Sequence, residues 1–366
     1  MLNYAKKYNN TSFWEMPFNI IDGLILSQLS YYDYSGTNFE KRVFTGTVGE
    51  CLREKDTKDF VHGMLNVRGD EELIQIVREG SRFGDLKAAG YIDESSEEYE
   101  RQFAAVTFAL GNDEFYIAFR GTDNSVVGWK EDFNLSYQKE ISSQKLATLY
   151  AMKVMELLPG KYYFGGHSKG GNLAAYAAIM IPDEYKDRLL GVFDFDGPGF
   201  TEEVYGSDQY KKVKPLIHKV IPQMSVVGLM MERDNHYKVV RCDADISEQH
   251  SPFYWKIIET DFEWVEKVDE ISEFIMHALN TWIQELDLEE RKVFGDTIFG
   301  FITDLGITNF DKTYKKRKGK FKTLINRLRT ADKENQRFTL ACIGRLFKIT
   351  AAEIREARAE GIRFVR

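Results

Sequence analysis

Between Phe103 and about Val240 the apolar positions switch repeatedly between a period of two and helical spacing. Short β-rich runs, FAAVTFAL, EFYIAFRG, KYYFGG, LGVFDFDG and HKVIPQMSVV, are interleaved with helical stretches over 144–158 and 171–181. Strands alternating with helices of this length indicate βαβ units and a largely parallel sheet. Near residue 260 the strand signals fade. Phe262, Val265, Val268, Ile271, Ile275, Leu279, Trp282 and Leu286 then fall three and four apart, which predicts one apolar stripe on a long helix. At the other end, FNIIDGLILSQLSYYDY reads as an amphipathic helix. The expected organisation is an α/β body over 1–260, with its core at 100–255, and a helical appendage over 261–366.

Charge sharpens this division. The chain carries 49 Lys plus Arg against 57 Asp plus Glu, a net charge of −8. Residues 261–366 hold 20 basic and 18 acidic side chains, a balance of +2, so the first 260 carry −10. An acidic body argues against a nucleic-acid partner. The basic side chains of the appendage concentrate in the segment 312–329, where nine occur without an acidic one. Such a run is a solvated face or a contact with a protein or membrane surface, with Lys315, Lys316, Arg317 and Lys318 as its centre. Cys51, Cys242 and Cys342 are widely separated, with no CxxC pair to suggest zinc or redox chemistry. The N-terminal residues have no apolar signal region, and no run of 18 apolar residues occurs, so a cytoplasmic protein without an integral membrane segment is expected.

The chemistry begins in KYYFGGHSKGGNLAAYAAIMIP, where Gly166-His167-Ser168-Lys169-Gly170 has the form G-x-S-x-G. That form suits a nucleophile elbow, in which a strand turns abruptly into a helix and presents serine at the tip. Glycines beside the serine provide the necessary room, and here an aromatic β run precedes the motif and an Ala-rich helix follows it. The fold expected is an α/β-hydrolase with a mainly parallel central sheet and the helical appendage at its C-terminal end. A serine hydroxyl needs a base, and in this fold the chain order is Ser, acid, His. That order sets aside His62 and His167. Among the downstream histidines, His250 in the loop SEQHSPFYW is favoured over His236, while His218 and His277 read as structural. The acid stays open: Asp196, at the end of the strand GVFDFDG, leads Asp234, Asp243 and Asp245. An oxyanion hole requires donors aimed at the developing charge. One is the backbone N–H of Lys169, and Thr122, after the run EFYIAF, offers another.

The segment Phe119-Arg120-Gly121-Thr122, with Trp129 and Asp132 after it and the G-H-S-x-G further on, resembles the pattern of class 3 lipases. Two departures stand out. Lys169 replaces the leucine usual after the serine, and Ser225 stands where the lipase acid motif would put its aspartate. The elbow HSKGGNLA, the strand end FDGPGF, the segment IPQMSVVG and the loop QHSPFYW together resemble the bacterial Mbeg1-like branch of the α/β-hydrolases. The resemblance implies an intracellular serine hydrolase of carboxylic esters acting through a Ser-His-Asp triad and an acyl-enzyme, without metal or organic cofactor, on a small-molecule or lipid-like ester. Aromatic residues of the loop from Ser251 to Trp255 are candidates for the wall of an apolar acyl pocket. The alternative is a weak or inactive hydrolase-fold module that binds a protein or membrane surface through its basic tail.

Overall fold

The apolar runs assemble into one nine-stranded sheet and a separate two-stranded hairpin. In the computed structural model, which describes residues 1–61, 66–245, 248–304, 337–346 and 348–349, the strands are β1 (Gly46–Thr47), β2 (Lys87–Ser96), β3 (Arg101–Gly111), β4 (Glu114–Phe119), β5 (Lys161–His167), β6 (Leu189–Phe195), β7 (Ile217–Pro222), β8 (Lys238–Val240), β9 (Ile257–Ile258), β10 (Asp261–Phe262) and β11 (Trp264–Val265). The sheet order is β1-β2-β3-β4-β5-β6-β7-β8-β11, and β9 and β10 form the hairpin. β4 to β8 are parallel, as the alternation with helices requires. The first expected strand, β3, instead runs antiparallel to β4. Asn112 and Asp113, at φ of 52° and 57°, join the two in the mirror-image turn that tight hairpins favour.

Successive residues of one strand serve two cores. On β4, Tyr116 and Ala118 pack on one face of the sheet while Ile117 and Phe119 pack on the other. The first face is covered by α1 (Ile20–Leu29) and α2 (Val67–Glu79), the second by α4 (Ser142–Leu157) and α5 (Lys169–Met180); α3 (Val126–Asn134) follows the loop after β4. Helix α1 is buried from Ile21 to Leu29 rather than on one side only. Its polar residues are satisfied internally, Asp22 by Arg82 at 2.6 Å and Ser27 by Tyr116 at 2.7 Å.

The long stripe after residue 260 divides into different elements. Phe262 lies on β10 and Val265 on β11, which pairs with β8 and continues the main sheet. The helix begins only after Asp269, whose side chain accepts from Ile271 N–H and caps α6 (Glu270–Glu285). Periodicity alone cannot separate an apolar strand pair from the helix it leads into. Helix α6 packs Met276 against Ile221, Leu229 and Val239 of the body. Helix α7 (Leu288–Asp304) lies on α3, with Phe133 5.8 Å from Phe294 and Lys130 2.9 Å from Asp296. The basic segment 312–329, with Lys315, Lys316, Arg317 and Lys318, falls outside the described residues. Among the described residues no helix is long and apolar enough to cross a membrane.

Candidate active site

Strand β5 turns into α5 through a single residue. Ser168 sits there at φ 59° and ψ −134°, a conformation that costs a non-glycine residue of order 1–3 kcal/mol and clusters at functional sites. The turn is held by Ser168 N–H on the Phe195 carbonyl at 2.8 Å. Close approach explains its glycines: a Cβ on Gly170 would lie 2.1 Å from the Phe119 carbonyl, and one on Gly121 would lie 3.1 Å from Ser168 Cβ. The loop after β4 therefore rests directly against the elbow.

Asp196 directly follows β6 and His250 lies in the loop after β8, and the fold brings them together. His250 Nδ1 is 2.7 Å from Asp196 Oδ2. Strand alternation would put Asp194 and Asp196 on the same side of the sheet. The chain instead leaves the strand at Asp196, where φ is +55°, and the two carboxylates join separate networks. Asp194 accepts from Gly197 N–H at 2.9 Å and lies 3.8 Å from Lys219; burial, partly offset by Lys219, raises its carboxyl to about 7. The other candidates for the acid are engaged elsewhere. Asp234 pairs with Lys214 at 2.8 Å and with Tyr210, Asp243 pairs with Lys256 at 2.8 Å on the surface, and Asp245 is exposed.

Asp196 is fully buried, and its second oxygen is also occupied. Oδ1 accepts from the Ser225 hydroxyl at 2.5 Å and from Gly228 N–H at 3.1 Å. Ser225, the residue found in place of the lipase aspartate, thus holds a carboxylate supplied by the neighbouring strand. His167 has a comparable supporting position. Its Nε2 donates to the His250 carbonyl at 2.7 Å, and its ring centre is 4.5 Å from that of His250. With Nε2 as donor, Nδ1 is the acceptor for the Tyr31 hydroxyl at 3.1 Å. Burial first, and the neighbouring His250 second, hold the His167 ring well below its usual pKa and keep it neutral. His167 borders Ser168 in sequence, but neither Tyr31 nor the His250 carbonyl is marked by any motif.

Lys169 opens α5, so its backbone N–H has no partner within the helix and faces out of the helix N-terminus. Its side chain turns the other way. The ammonium, 1% exposed, donates to Glu131 at 2.8 Å and to the Gln102 carbonyl at 2.9 Å, and lies 3.9 Å from Asp132. Asp132 in turn accepts from the Thr122 hydroxyl at 2.8 Å. Burial, opposed mainly by Lys169, raises the Asp132 carboxyl to about 6. Thr122 is thereby tied to the elbow through Asp132 and Lys169. Glu131 was invisible as a partner because its carboxylate also gathers Gln102 N–H and both donors of Ser143 from distant parts of the chain.

The aromatic loop after His250 divides its residues. Trp255 is core, its indole N–H on the Gln249 carbonyl at 2.8 Å and its ring against Phe195 and Phe262. Tyr254 is exposed, and only Phe253 reaches the cleft beside Thr122 and His167. No cluster of three metal-ligating side chains occurs among the described residues.

A mixed sheet with a parallel core from β4 to β8, flanked by helices, with a serine elbow after one strand and an acid and a histidine at the same edge, defines an α/β-hydrolase fold. The model of the Mbeg1-like family matches residues 77–300, and the chain belongs to that family. No curated protein matches it. Among solved structures it is similar to M37 lipase, with 14% identity over 58% of this chain and 69% of that one at a TM-score of 0.36. The Rhizomucor miehei lipase in its propeptide complex gives 13% identity over 67% and 81% at 0.37. The Lip2 lipase of Yarrowia lipolytica gives 14% over 60% and 76% at 0.32.

Proposed function

We propose that the chain is a serine hydrolase of carboxylic esters, with Ser168 as nucleophile, His250 as general base and acid, and Asp196 as the carboxylate that orients the imidazole. The observation that carries this reading is the 2.7 Å contact between His250 Nδ1 and Asp196 at the sheet edge where the Ser168 elbow stands. With Nδ1 held, Nε2 is the nitrogen that takes the proton from Ser168 Oγ as it attacks the ester carbonyl. The resulting oxyanion is met by the N–H of Lys169 and by Thr122. Collapse expels the alcohol, which receives the proton from His250, and leaves an acyl-enzyme. A water molecule, deprotonated by the same nitrogen, then releases the acid and restores Ser168. Asp196 orients the imidazole and stabilises the imidazolium throughout. The steps require no metal or organic cofactor.

The direct test is a fluorophosphonate probe read by intact mass and peptide mapping. A single adduct on Ser168, absent in Ser168→Ala and strongly slowed in His250→Ala, is expected; a folded chain that takes no adduct removes the catalytic reading.

A further inference from the structure

His167 has no step of its own in ester hydrolysis, yet three segments of the chain meet on it. It is the last residue of β5, directly before Ser168, and is 4% exposed. Nε2 reaches the His250 carbonyl at 2.7 Å, and Nδ1 reaches the Tyr31 hydroxyl at 3.1 Å. A carbonyl can only accept, so Nε2 carries the proton and Nδ1 holds a lone pair that Tyr31 meets. Both ring nitrogens are therefore committed, one to each neighbouring segment.

The effect falls on His250. Its ring is tied to Asp196 through Nδ1 at 2.7 Å, and its peptide is tied through the carbonyl that His167 holds. An anchor on the ring and a second on the backbone together fix where Nε2 points. Because His167 adjoins Ser168, the second anchor joins the base to the nucleophile directly. The two imidazoles lie 4.5 Å apart, tilted by 36°. His250 becomes imidazolium in each chemical step, and a second positive ring at that distance would oppose it; His167, kept neutral by burial first, does not.

Tyr31 comes from the far side of the sheet's first layer, two residues beyond α1, with its N–H on the Gln28 carbonyl at 3.1 Å. Its hydroxyl enters between the oxyanion loop and the elbow. A Cβ on Gly121, which precedes Thr122, would lie 2.1 Å from that hydroxyl and 2.4 Å from the His167 carbonyl. The hydroxyl also lies 3.2 Å from the same carbonyl. Its removal would leave Nδ1 buried without a donor. The ring's other tautomer, with Nδ1 protonated, would set a lone pair of Nε2 against the His250 carbonyl and push the loop away.

We infer that Tyr31 and His167 are positioning residues of the reaction: the Tyr31 hydroxyl holds the His167 ring, and the ring, through the His250 carbonyl, holds the general base against Ser168. This rests on the serine-hydrolase reading, and the experiment separates the two. The full chain is assayed with p-nitrophenyl acetate, beside fluorophosphonate labelling of Ser168. His250 serves acylation and deacylation alike, so its displacement lowers kcat and kcat/KM together. His167→Phe, which keeps a ring and removes the donor, is expected to lower both by about 10²-fold with KM unchanged. His167→Gln, whose amide nitrogen can donate in place of Nε2, is expected to stay within about fivefold of the native chain. Equal losses in the two variants, or a loss that falls on KM alone, overturn the positioning role. Tyr31→Phe is expected to cost about tenfold in the native chain and nothing further beside His167→Gln, where no Nδ1 remains. The same cost in both backgrounds overturns the link from Tyr31 through the ring. Urea midpoints show which variants are folded; if His167→Phe is not, the two Tyr31→Phe measurements decide. A native chain that labels on Ser168 while a folded His167→Phe keeps its rate overturns this inference and leaves the hydrolase reading intact. A folded native chain without an adduct overturns the hydrolase reading and this inference with it.

Discussion

Asp196 divides its two oxygens between His250 and the pair Ser225 and Gly228. This division gives each partner a distinct mutational signature. Asp196→Asn is expected to lower kcat by about 10⁴-fold, because the amide no longer fixes the imidazole tautomer. Ser225→Ala, which removes one of the two donors to Oδ1 and leaves the His250 contact in place, should instead cost far less in kcat; a loss as large as that of Asp196→Asn would contradict this division. Asp70 supplies a prediction of another kind. Burial first, against hydrogen bonds from Gln28 and Tyr32, raises its carboxyl from 3.8 to about 7. Its neutral form therefore contributes stability that is complete below about pH 4 and is lost as pH rises through about 7. Asp70→Asn keeps an acceptor for Gln28 and should shrink the loss of stability between pH 5 and pH 8 by about 3 kcal/mol, the roughly 2 units from pH 5 to the folded value at 1.36 kcal/mol per unit. Urea midpoints with an unchanged pH dependence would contradict this. The placement of Ser168 at a strand-to-helix turn and the meeting of Asp196 with His250 were legible because elbow, loop and strand end have local signatures. Ser225, Tyr31 and Asp70 were not, since their roles depend on what distant segments bring to them.

At the scale of elements, one ion pair joins the helix after the oxyanion loop to the helix after the nucleophile. Lys169 and Glu131 are both 1% exposed. Removing one partner leaves a buried charge, and Glu131→Gln is expected to cost about 3–5 kcal/mol. The double variant Lys169→Met, Glu131→Gln should recover much of that loss, since the introduced amide oxygen can still accept from Ser143 and no ammonium remains. Equal urea midpoints for the single and double variants would show that the pair does not couple. Sequence marked the Lys169 side chain only as a departure from a leucine, and its partner lies on another helix. The extents of β4 to β6, α4 and α5 were close to those read from periodicity, whereas the run read through to Val227 ends as a strand at Pro222. The stretch from Phe262 to Leu286 was not read correctly, because a short strand and a capped helix can share one apolar stripe, and the Asp269 cap that separates them carries no periodicity.

Across the whole molecule, the helices after residue 269 act as braces for the site. Ser272 donates to the Ser225 carbonyl, and Asn280 accepts from Met231 N–H at 3.1 Å, so α6 supports the turn that holds Asp196. Helix α7 packs on α3, which carries Glu131 and Asp132. We therefore expect α6 and α7 to unfold with the body in one transition. Met276→Ala, which empties a buried position between α6 and the sheet, should lower global stability by about 2–5 kcal/mol. A separate early transition with the elbow still reactive would contradict this coupling. The net charge remains an average of an acidic first 260 residues and a near-neutral remainder.

The most direct measurement is quenched-flow mass spectrometry of the chain mixed with p-nitrophenyl acetate. A burst of one p-nitrophenol per chain, with an acetyl group mapped to Ser168 and both signals lost in Ser168→Ala, is the expected result. Turnover without a burst that persists in Ser168→Ala, or no acetyl adduct on a folded chain, would contradict the central claim that Ser168 is the nucleophile.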